Sequence, residues 1–156
     1  MKYYAFFILF LSVNLATNAQ KVPIVFQVGE NQELYSKLIA KYNKQLLTVC
    51  DDDMELAFEK WSDLMSNIEL FAKQEGLDIR GVKLWINVFF NKNGKIDYIF
   101  YHPKPISLNM DYSKLTKILE KFASSNKIDI QYTASFSHYG SAHFPVLYQL
   151  YNQNEK

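Results

Sequence analysis

The run "INVFFNKNGKIDYIFY", Ile86 to Tyr101, constrains this chain more than any other stretch, because two apolar segments flank a polar knot of Asn, Lys and Gly. Such a pattern predicts a β-hairpin, and the loop length fixes which side chains share a face. A two-residue Asn93-Gly94 turn would oppose Lys92 to Lys95 and Phe90 to Asp97. Facing like charges and a carboxylate in an apolar row both cost stability. A three-residue loop, Lys92-Asn93-Gly94, with Gly94 left-handed, avoids both. That register pairs Asn91 with Lys95, Phe90 with Ile96, Val88 with Tyr98 and Ile86 with Phe100. One face then carries Leu84, Ile86, Val88, Phe90, Ile96, Tyr98 and Phe100. The other carries Lys83, Trp85, Asn87 and Phe89 beside Lys95, Asp97, Ile99 and Tyr101, with Trp85 opposite Tyr101. This second face is half apolar, so either a helix covers it or a partner docks on it. Trp85, Phe89, Ile99 and Tyr101 are the candidate partner-binding residues.

Helical spacing precedes the hairpin. Leu34, Leu38, Tyr42, Leu46 and Val49 predict one helix capped by Asn31, which is the candidate cover for the Trp85 face. Asp52 and Glu55 have capping-box spacing before a second helix with Met54, Phe58, Trp61, Leu64, Met65, Ile68 and Phe71 on one stripe and Gly76 as its stop. Together they form a helical part over about 31–76. After the hairpin, the prolines of "HPKPISLNMD" exclude a central strand, and Asn109 or Asp111 begins a third helix with Leu115, Ile118, Leu119 and Phe122. "KIDIQYTASFSHYG" alternates from Ile128 to Phe136 and predicts a strand, with a tight turn at Gly140-Ser141 and a last strand in "HFPVLYQLY". A short β-prone run, "KVPIVFQV", stands near the start. The fold class is α+β, with a small antiparallel sheet of three or four strands and amphipathic helices packed on it.

"MKYYAFFILFLSVNLATNAQ" has one cation, a short apolar run and small residues at its end. That is the pattern of a secretory signal peptide over residues 1–19, leaving 20–156 as a single domain in the periplasm or outside the cell. The 17 Lys+Arg and 16 Asp+Glu nearly cancel, so the electrostatic footprint of a nucleic-acid binder is absent. Twelve Phe and 11 Tyr must be buried in a core or offered to a partner.

Candidate chemistry is sparse. Cys50, the only cysteine, ends a helical pattern and is followed by three aspartates that raise a thiol pKa, so it reads as a small buried hydrophobe. A turn at Gly140-Ser141 would face His138 to His143, a weak candidate metal pair lacking a third ligand. No nucleophile elbow, phosphate loop or dinucleotide fingerprint occurs, and no cofactor is expected.

The segments "GVKLWINVFFNKNGKIDYIFYHPKP" and "DYSKLTKILEKF", followed by a strand within Ile128 to Leu150, give the order hairpin, helix, strand. Over roughly its last half the chain resembles the C-terminal domain of TonB, the periplasmic energy-transducing family. The resemblance implies helices on one face of a small sheet and a partner peptide paired by strand addition. It does not extend to the family's membrane-spanning helix, Pro-rich spacer or Tyr-Pro helix, so it implies a detached binding module beside outer-membrane transport. A protein- or peptide-binding module, non-enzymatic, is the first expectation. The alternative is a small-ligand or enzymatic module with an aromatic pocket lined by Trp61, Tyr98 and Tyr132.

Overall fold

The computed structural model describes residues 23–146, so the expected leader and most of the strand expected after Pro145 lie outside the described residues. The chain runs β1 (Val25–Gln27), α1 (Gln32–Lys41), β2 (Lys44–Gln45), α2 (Leu46–Val49), α3 (Met54–Gln74), β3 (Lys83–Phe90), β4 (Ile96–Pro103), α4 (Tyr112–Ser125) and β5 (Phe136–His143). It is α+β, but the sheet has five strands in the order β1-β4-β3-β5-β2 and is mixed. β3 is antiparallel to β4 and β5, whereas the outer β1 and β2 run parallel to their neighbours. The expectation of a purely antiparallel sheet fails at these two edges, where pairs of two or three residues are too short to show alternation. No helix among the described residues is long and apolar enough to cross a membrane.

The hairpin loop forms as the charge argument requires. Asn91 N–H donates to the Lys95 carbonyl at 2.9 Å, Gly94 N–H donates to the Asn91 carbonyl at 2.9 Å, and Gly94 has φ 77°. Phe90 pairs with Ile96, as expected. The ladder then skips Asp97: Phe89 pairs with Tyr98, Val88 with Ile99, Ile86 with Tyr101 and Trp85 with His102. One extra residue on β4 is a β-bulge, and it moves every later β4 side chain to the opposite face. The expected apolar row is therefore corrected beyond Ile96. Leu84, Ile86, Val88 and Phe90 share the main core with Ile96, Ile99 and Tyr101, while Tyr98 and Phe100 turn to the other side.

Helices cover both faces. Against the main core lie Trp61, Leu64, Met65 and Ile68 of α3 with Leu115, Leu119 and Phe122 of α4. Met54 and Phe58, expected on the α3 stripe, are 73% and 54% exposed, so the buried stripe begins after the first turn of the helix. On the second face, Leu38 and Tyr42 close over Phe26, Phe89 and Phe100.

The helix expected over 34–49 is divided. Tyr42, just past α1, is held from both ends: its hydroxyl donates to Asp97 Oδ2 at 2.8 Å and its carbonyl accepts from Ser137 Oγ at 3.0 Å. The chain then runs as β2 along β5 before the short α2. Two caps also differ from expectation. Asn31 sits at φ 52° without a side-chain cap bond, and Asp53 rather than Asp52 caps α3 by accepting from Leu56 N–H. Asp51 and Asp52 occupy left-handed conformations that aspartate tolerates, making the acidic triplet the turn into α3. Asp111 caps α4, as one of the two expected candidates.

Residues 128–135 are not the predicted strand. Their backbone donates instead to the hairpin tip, Ile128 N–H to the Gly94 carbonyl and Tyr132 N–H to the Lys92 carbonyl, so Ile128 reaches the core without a ladder. The strand begins at Phe136 and continues straight through Gly140-Ser141, removing the expected turn. Gly140 serves close packing: a Cβ there would sit 3.0 Å from ring atoms of Trp61.

At Gly94 a Cβ would fall 2.2 Å from the Ile128 carbonyl oxygen. Gly94→Ala therefore adds a steric conflict to left-handed strain, and a loss of more than about 2 kcal/mol is expected in denaturant unfolding; a loss near zero would disprove the pinning. His138 lies against Trp61 with ring centroids 4.4 Å apart, and burial holds its proton affinity below the ordinary value of 6.5. Below that pH the unfolded chain takes up a proton that the native chain refuses, so stability falls on acidification. His138→Gln should flatten the slope of stability against pH, and an unchanged slope in that variant would refute the assignment.

Candidate functional site

α1 covers only part of the second sheet face. Beside it, a groove of about 410 Å³ opens between the helix and the sheet. Tyr35, Ile39 and Tyr42 form its helix wall, Asn87 and Ser137 lie on the strands, and Trp85, His102 and Tyr139 line the open side. The alternation of β3 and β5 places these strand residues on one face, since Asn87 pairs with Tyr139 and Trp85 with Ser141.

The ring of Trp85 is 42% exposed and lies nearly parallel to Tyr139, with centroids 6.0 Å apart and an interplanar angle of 17°. Lys104 Nζ stands 3.9 Å from the Trp85 ring centroid, 2.6 Å from Ser141 Oγ and 2.8 Å from His143 Nε2. Burial, then the charges of Lys104 and Lys83, hold the His143 imidazole below the usual histidine range.

Asn87 is only 6% exposed. Its amide nitrogen donates to Tyr35 Oη at 3.4 Å, and its Oδ1 has no partner among the described residues. A buried acceptor left unpaired costs about 1–3 kcal/mol. Among the described residues the lining contains no carboxylate, and Asp97 is taken up by Tyr42, whose phenol is pushed far above its usual range by burial and by that carboxylate.

The four residues expected to bind a partner do not form one patch. Trp85 stays at the surface. Phe89 shares its face but is fully buried, with the rings of Tyr35 and Tyr42 edge-on to it at 6.3 and 5.3 Å. Ile99 and Tyr101 are corrected to the opposite face by the Asp97 bulge. Both are fully buried, and Tyr101 Oη is bonded to Thr116 Oγ1 of α4 at 2.7 Å. The expected pocket of Trp61, Tyr98 and Tyr132 is also dispersed: Trp61 and Tyr132 pack on the main core and Tyr98 on the second.

His138 and His143 lie on one strand, five residues apart, and so point to opposite faces. His138 meets Trp61 while His143 meets Lys104, which removes the expected juxtaposition. Among the described residues no group of three or more His, Cys, Asp or Glu is placed to hold a metal. Cys50 is buried, and burial followed by Asp53 raises its thiol pKa.

Tyr139, His102, Tyr35 and Lys104 were not singled out from sequence. The signal for Tyr139 was present in "SFSHYGSAH", whose alternation continues beyond Ser137 once Gly140 is read as a packing position and not a turn. Neither a protein-family model, a curated protein nor a solved structure matches the chain.

Asn87→Leu replaces the unpaired amide by an apolar group of similar volume. The melting temperature is expected to stay level or rise, because the burial penalty disappears with the amide. A drop of many degrees in thermal unfolding would show that Asn87 serves the fold.

Proposed function

We propose that the domain is an exported, non-enzymatic binding module that takes a segment of a protein or peptide partner into the groove between α1 and the open end of the sheet. The TonB-like resemblance and a place beside outer-membrane transport belong to the same proposal. The observation that carries it is the unpartnered Asn87 Oδ1, buried in a groove with an exposed aromatic pair at its mouth. A ligand N–H or O–H donating to that oxygen would offset a cost that the free protein bears.

Strand addition has less support than docking on the face. The outer strands β1 and β2 have three and two residues, and short edges are poor templates. On β5, β2 pairs with Phe136–Ser137, and the Trp61 indole donates to the Ser141 carbonyl at 3.4 Å. A small-ligand site is a second reading, favoured by the groove volume, which lies within the range of small-molecule pockets.

The test is selection of displayed peptides on the whole protein, followed by affinity measurement on variants. Trp85→Ala should weaken a selected peptide at least tenfold and change stability by less than about 1 kcal/mol, since the ring is largely at the surface. Phe89→Ala, in contrast, should cost about 3–5 kcal/mol of stability as a core truncation. Peptides that bind Trp85→Ala and Asn87→Leu as well as the parent would sink the proposal. Selection of no peptide, together with saturable quenching of Trp85 fluorescence by a small planar compound, would favour the second reading.

A further inference from the structure

The partner's chemistry can be narrowed by what lies beyond the groove. On the same sheet face, past Trp85, stand Lys83, Lys104, Ser141 and His143. Lys104 contacts a hydroxyl, an imidazole and the Trp85 ring, and no carboxylate among the described residues. The ion pairs among the described residues, Lys37–Glu33, Arg80–Asp78 and Lys121–Glu75, all lie elsewhere. Among the described residues, no aspartate or glutamate lines the adjoining groove.

Two cations thus flank one imidazole, and burial and their fields together disfavour its protonation. A negative group is the missing complement. The order along the face is a buried acceptor at Asn87, then an aromatic pair at Trp85 and Tyr139, then cations.

We propose that this strip recognises an acidic peptide segment, with an apolar side chain in the groove, its N–H on Asn87 Oδ1 and an adjacent carboxylate on Lys104 and His143. This rests on the peptide-binding reading above. Lys104 already stands where that carboxylate would arrive, because Ser141 Oγ and the Trp85 face hold the ammonium over the strip, which limits the entropy lost on pairing.

The experiment measures affinities of the whole protein for N-acetylated peptide amides carrying Phe, Tyr, Leu or Val next to Asp, and for the same panel with Asn in place of Asp. The Asp panel should bind at least tenfold tighter, and the margin should shrink as salt is raised. Lys104→Met should erase the margin while leaving Asn-panel binding in place, and Lys104→Arg should retain most of it. Equal affinity for the two panels would overturn the acidic assignment and leave the peptide-binding reading intact. Binding by neither panel would overturn both. A change in sedimentation of the protein alone on Lys104→Met would assign the strip to a second copy of the chain, and the acidic-peptide proposal would fall.

Discussion

One extra residue in β4 governs how this domain is divided. The bulge at Asp97 sends Ile99 and Tyr101 to the α3 and α4 side and Tyr98 and Phe100 to the α1 side, so each sheet face receives a continuous apolar surface. The bulge is held from outside the hairpin by the Tyr42 hydroxyl on the Asp97 carboxylate. Tyr42 in turn ends α1 and accepts from Ser137 on β5, tying the break of one helix to the register of two strands. With Asp97 paired in the ladder, Tyr101 would leave its bond to Thr116 and Phe100 would leave its ring partners Phe26 and Tyr35.

That division also explains why the groove exists. α1 is ten residues long and ends with Tyr42 against Phe89, so it shelters the Phe89 and Phe100 part of the face, while Trp85 and Tyr139 stay exposed. The rings under the helix are core, and those past it are surface. Trp85 and Phe89 lie four residues apart on one face of one strand, yet exposure separates them into a docking candidate and a structural anchor. The second face is therefore both covered and offered, at different ends.

Asn87 sits where the two regimes meet. A leucine there would pack among apolar neighbours, and the amide gives up that gain for one long bond to Tyr35 and an acceptor without a partner. An unfavourable local choice at the floor of a groove is what the proposed binding site would add to the fold. The cations beyond Trp85 lie together on the sheet face without carboxylates among their contacts with described residues.

The sequence by itself determined the elements whose cause is local. The Lys92-Asn93-Gly94 loop follows from the charges it keeps apart and the backbone freedom of Gly94, α3 and α4 from their apolar stripes, and the buried Cys50 from the residues around it. Only the tertiary structure decided the rest. Asp97 bulges where Tyr42, 55 residues earlier, reaches its carboxylate, and that side-chain bond leaves no period in the β4 pattern. Residues 128–135 alternate like a strand but bond to the hairpin tip, because a glycine there leaves room for their carbonyls. Gly140 looked like a turn and is a contact with Trp61, so Tyr139 reached the groove unseen. Each of these outcomes depends on partners distant in the chain, and periodicity within one segment carries no record of them.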